Sequence, residues 1–164
     1  MKKLILIPAI IIALFISACA PSVPSEPDTP EGTVPPVESE APQKSELEIY
    51  MASLEESSDA IETSLETEAL TQAEMNEKSA QLYELWDDAL NYLWGELKAA
   101  LPEEEFAKLL DEQITWINNK EKALEEAGKD FEGGSVYPLI ISGEAARITR
   151  ERVYEFYDIL SQAD

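Results

Sequence analysis

The chain has 164 residues, one domain's worth with little to spare, and 34 acidic against 12 basic residues give a formal charge of −22. A polyanion of that density repels phosphates, so nucleic acid is unsuited as a partner. His is absent and Cys19 is the single Cys, which excludes Ser-His-Asp and Cys-His catalysis, the commonest zinc ligand and any intramolecular disulfide.

Residues 1–18 have the layout of a lipoprotein signal peptide. Lys2 and Lys3 precede an apolar run from Leu4 to Ile16, interrupted by Pro8. In a helix that run spans about 20 Å, short of a bilayer core of about 30 Å, so it reads as the apolar region of a signal peptide. Ile16-Ser17-Ala18-Cys19 resembles a lipobox, with an aliphatic residue, two small ones and a Cys whose thiol takes the lipid. The alternative is an ordinary signal peptide or a short anchor helix whose Cys is incidental. On the lipoprotein reading the mature chain begins at Cys19, carries a net charge of −24 and is held on the extracytoplasmic face of the cell membrane by its acyl chains.

Residues 19–45 are the expected lipidated Cys and tether. Seven of the ten prolines lie in this stretch, mixed with Ser, Thr, Val and Glu. That density blocks helix and ladder hydrogen bonds and favours extended chain.

Residues 46–164 follow a 3.6-residue period and predict an all-α, antiparallel bundle of about four helices, with a net charge of −20. Ser45 and Glu48 have capping-box spacing and start the first helix, with Leu47, Met51, Leu54, Ile61 and Leu65 on one face. Thr71 with Glu74 opens the second, whose stripe is Met75, Leu82, Trp86, Ala89, Leu90, Leu93, Leu97 and Ala100. Pro102 ends that helix and starts a third, and Glu103, Glu104 and Glu105 suit its N-terminal dipole. Phe106, Leu109, Leu110, Gln113, Trp116, Ile117 and Leu124 form its expected buried face, and Gly128 is its expected C′ residue, the position that favours a left-handed backbone. After a loop with Gly133-Gly134-Ser135, a last helix buries Ile141, Ala145, Ile148, Val153, Phe156 and Leu160.

Three stretches carry a resemblance. One is Thr71 to Glu77, followed by Tyr83, Asp87 or Asp88, Leu90 and Asn91. The second is Gln113, Trp116, Ile117, Lys120 and Glu121. The third is Gly133-Gly134-Ser135 with Pro138, Thr149 and Arg152. In order and spacing across residues 71–156 they resemble the LprI-type, lysozyme-inhibitor-like family of small bacterial envelope proteins. The resemblance implies an all-helical envelope domain and points to lysozyme inhibition. Family members usually carry stapling cysteines. This chain has Lys78, Leu124 and Glu144 at the matching places, and Lys120-Glu121 where the family tends to have Arg-Asp.

The acidic runs Glu55-Glu56, Asp87-Asp88, Glu103 to Glu105 and Glu125-Glu126 read as solvated faces, since adjacent helical residues point about 100° apart and cannot clamp a sugar between them. No Asp-x-Asp-x-Asp-Gly calcium loop is present, and the serines have no adjacent base. The expectation is therefore a non-enzyme without metal or cofactor. Gln113, Trp116 and Lys120 share a helix face at i, i+3 and i+7, and with Glu121, Thr149 and Arg152 they make either a structural cross-link or a binding surface. Gly133, Gly134, Ser135 and Tyr137 make either a projecting binding loop with a stacking ring or a turn whose Tyr packs on the bundle. Two functional readings follow. One is a membrane-anchored module that binds a cationic protein such as lysozyme; the other is a structural or assembly lipoprotein.

Overall fold

The computed structural model describes residues 45–163, and the expected signal peptide, Cys19 and nearly all of the proline-rich stretch lie outside them. The described residues form four helices: α1 (Glu46–Thr67), α2 (Gln72–Ala100), α3 (Glu103–Gly128) and α4 (Tyr137–Ala163), with a short 3-10 turn at Lys129–Phe131. There is no strand among the described residues.

Local chemistry sets the helix starts. At α1 the Glu48 N–H donates to Ser45 Oγ at 3.1 Å, and Glu48 Oε2 accepts from the Ser45 N–H at 2.8 Å. The same reciprocal box joins Thr71 and Glu74 at α2, with the Thr71 hydroxyl donating a further bond to Glu74 at 2.7 Å. Those bonds favour the ionised carboxylate and hold Glu74 below the usual carboxylate range. Pro102 is the N-cap of α3 and supplies only its carbonyl, which accepts from Glu105 and Phe106; three glutamates then fill the first turn.

The short connections make each helix antiparallel to the next in the chain. Consequently α2 and α4 run parallel, and they share the most extensive interface of the bundle. Ser79 in α2 donates to the Leu139 carbonyl near the start of α4, and Trp94 near the end of α2 packs on Phe156 near the end of α4. The core lies along this pair: Trp86, Ala89, Leu93 and Leu97 meet Ala146, Val153, Phe156 and Leu160.

The first helix, with its thin and Ser-rich stripe, packs on this pair through Met51 and Leu54. Its polar position Ser58 is fully buried and accepts a hydrogen bond from the indole N–H of Trp86 at 3.2 Å. A serine in that stripe thus satisfies the one polar atom of the largest core side chain. On the opposite flank α3 packs mainly against α4.

Three sequence expectations are corrected. Leu110 and Ile117 were expected in the buried face of α3 but are 43% and 45% exposed. The helix flanks the α2–α4 pair and buries only the narrower strip through Leu109. Ala100, expected on the buried stripe of α2, lies exposed in its last turn. Gly128 is not a left-handed cap: its φ of −82° is right-handed and the chain winds on into the 3-10 turn. A Cβ there would sit 2.6 Å from Ile141 Cδ1 and 2.7 Å from Tyr137 Cε2, so this glycine serves the close approach of α4. The positive φ, +73°, belongs to Gly133.

Candidate binding surface

The centre of the site is Lys120 on α3, whose side chain is 11% exposed. Its ammonium donates to Thr149 Oγ1 on α4 at 2.8 Å and to the Tyr83 hydroxyl on α2 at 3.2 Å. It lies 3.8 Å from an Asp87 carboxylate oxygen, 4.5 Å from the centre of the Tyr83 ring and 5.2 Å from that of Trp116. One side chain therefore ties three helices together. Burial holds its pKa below the usual lysine value, with Asp87 opposing the shift. The Tyr83 hydroxyl donates to Asp87 at 3.1 Å, and burial first, then the charge of Asp87, raises its pKa. Asn91 Nδ2 donates to the other Asp87 oxygen at 3.3 Å and to the Asp87 carbonyl at 2.8 Å, so the carboxylate is fixed from both sides.

Three residues along α4 from Thr149, Arg152 donates through Nε to Gln113 Oε1 at 2.9 Å and through Nη1 to Glu155 at 2.6 Å. Its guanidinium stacks on the Phe156 ring at 4.7 Å. Nη2 is buried without a partner among the described residues. The structure thus brings Gln113, Trp116, Lys120, Thr149 and Arg152 together along the α3–α4 seam, joined by Tyr83 and Asp87 from α2. Glu121 stands beside them, exposed.

A cleft of about 350 Å³ opens on the other side of Lys120, between α2 and α3, lined by Tyr83, Leu90, Trp116, Ile117, Lys120 and Leu124 among others, with Asp87, Asn91 and Glu121 also on its wall. Beside it Leu110, Ile114 and Ile117 stand out from α3, 43 to 52% exposed. The loop residues are elsewhere. Gly133, Gly134 and Ser135 are exposed in the turn before α4, where the Ser135 carbonyl accepts from Asn76 Nδ2 at 2.9 Å. Lys120 precedes Gly128 by eight residues, about 12 Å of helix, so the loop is not part of the Lys120 cluster. Tyr137 is the first residue of α4 and half-buried, its ring beside Gly128, while Phe131 is the exposed ring of the turn at 40%.

Sequence reading missed the joining role of Tyr83 and Asp87. The i, i+4 spacing of Tyr83, Asp87 and Asn91 was available as a signal, because it stacks three hydrogen-bonding side chains on one face of α2. It also missed the exposed α3 ridge, because amphipathic spacing does not say how wide a strip a neighbouring helix covers.

Fold and site together define an acidic, all-helical domain whose half-buried polar residues bind its helices to one another beside a shallow apolar cleft. The family model described as "Lysozyme inhibitor LprI" matches residues 63–156, more than half of the chain, and the chain belongs to that family. The family's description is that of an inhibitor rather than an enzyme. An uncharacterized protein of Rhizobium meliloti (strain 1021), R02472, is 35% identical over 52 residues. That match covers 32% of this chain and 37% of the relative, so the chain spans little more than a third of the curated relative's length. No solved structure matches the chain.

Proposed function

We propose that this protein is a lipoprotein held on the extracytoplasmic face of the cell membrane, whose acidic helical domain binds a cationic protein, with a lysozyme as the partner and inhibition as the outcome. Membership of the LprI family carries the reading. The charge of the chain, −22, supports it, because a polyanion attracts basic proteins and speeds their association. The layout of residues 1–19 supports the anchor, and the proline-rich stretch to residue 45 is suited to hold the bundle off the membrane. The Lys120, Tyr83 and Arg152 contacts are internal cross-links that hold the bundle together, so binding is proposed to fall to other surfaces. The Gly133-Gly134-Ser135 turn, with Phe131 and Tyr137 beside it, is the segment proposed to enter the partner's sugar-binding cleft. Its exposure and the positive φ of Gly133 suit a projecting backbone.

The test is a pull-down of a basic lysozyme with the full chain in detergent, at low and high salt. Retention at low salt that falls steeply as salt rises supports the reading. No retention at low salt contradicts it and moves the structural or assembly lipoprotein to first place.

A further inference from the structure

We infer that the exposed face of α3, with Leu110, Ile114 and Ile117 at its centre and glutamates at its ends, is the surface on which the basic partner docks. This rests on the binding function proposed above and adds, to the turn proposed to enter the partner's cleft, a separate face for the body of the partner.

The argument starts from spacing. Positions 110, 114 and 117 are i, i+4 and i+7, so their side chains form one ridge along α3, about 10 Å from first to last. Each is exposed by 43 to 52%, and no helix of the bundle covers them. Amphipathic helices ordinarily put polar residues on such a face, so three aliphatic side chains in a row call for a covering partner. At 100° per residue, Glu103, Glu121 and Glu125 all fall within about 20° of Ile114 on the helix circumference. They close the ridge at both ends, and all three are exposed and have no ion pair among the described residues. Of the three lysines of this helix, Lys108 and Lys122 lie about 120° and 80° round from Ile114, and Lys120 is buried with its ammonium bonded to Thr149 and Tyr83.

An apolar centre with a charged, solvated rim is the anatomy of a protein interface, and here the rim has one sign. A partner carrying Lys or Arg around an apolar patch fits it; a second acidic copy of this chain sets glutamate against glutamate. The flanking cleft extends the apolar floor through Leu90, Trp116 and Leu124. Its walls are held rigid by the Lys120 bonds to Thr149 and Tyr83, which lowers the cost of ordering on binding.

Ile114→Glu separates this surface from bulk charge, because it adds a negative charge while removing the apolar centre. The full chain and the variant, both in detergent, are titrated with a basic lysozyme at low and physiological salt, with circular dichroism as the check on folding. The affinity of Ile114→Glu is expected to drop at least about tenfold, and Leu110→Gln to weaken binding in the same direction. If the wild-type chain binds and Ile114→Glu binds equally or more tightly, attraction is by charge alone and this docking surface is wrong while the binding function stands. If the wild-type chain does not bind, both fall. Sedimentation of the free chain decides the remaining outcome: self-association that Ile114→Glu abolishes makes the ridge a seam between copies and overturns the assignment.

Discussion

At the scale of single residues, the buried polar groups hold the bundle's register. Thr149 is fully buried and its hydroxyl accepts from the Lys120 ammonium. Thr149→Val keeps the shape and leaves a mostly buried ammonium one acceptor short, so it should cost about 1–3 kcal/mol. A denaturant melt checks this as a lower midpoint with an unchanged slope. Trp86 is fully buried and Trp116 half-buried. Trp86→Ala should therefore cost about 3–5 kcal/mol and Trp116→Ala clearly less. Three of the six tyrosines, Tyr50, Tyr83 and Tyr154, have pKa values raised first of all by burial. A phenol that holds its proton longer when folded contributes stability below its unfolded pKa of about 10, and that contribution is lost as pH rises through the folded value. Lys120 has the opposite sign: its lowered pKa makes the charged form costly, and the cost is relieved as pH rises toward the usual lysine range. Absorbance titration should show late-ionising phenols, with Tyr83→Phe removing one of them. A Tyr83→Phe variant that loses no late-ionising phenol would contradict the placement.

At the scale of helices, what is written locally in the chain was legible. Both capping boxes form at Ser45 and Thr71, because each needs only residues three apart. The shared face of Gln113, Trp116 and Lys120 follows from helical period alone, whereas their partners on α4 lie 29 to 39 residues on. The parallel α2–α4 pairing was not legible, since no short-range spacing reports which of two faces a distant helix takes. Gly128 shows the same limit. A glycine near a helix end reads as a cap, and its true role depends on Ile141 and Tyr137 arriving from α4. Gly128→Leu should therefore destabilise the bundle by about 1–3 kcal/mol through overpacking. Gly133, at φ +73°, has open space around it, so Gly133→Ala should cost about 1 kcal/mol through backbone strain alone. A Gly133→Ala variant that melts at a clearly lower temperature than Gly128→Leu would contradict this division of roles.

At the scale of the whole molecule, charge, family and the proposed anchor bear on one proposed function. The proposed anchor predicts that Cys19→Ala moves the protein from the membrane fraction to a soluble or uncleaved form; unchanged mass and fractionation would contradict a lipid at Cys19. The charge of −22 predicts association with basic proteins that slows as salt rises, since exposed charges are screened over about 8 Å at physiological ionic strength. Attraction alone is not inhibition, which also requires the partner's cleft to be covered. The most direct measurement is the rate of wall hydrolysis by a basic lysozyme titrated with the full chain, beside an unrelated protein of equal size and charge. The account predicts a saturable loss of activity with the chain and little with the control. Equal slowing by the two proteins, or undiminished activity at low salt, would contradict it.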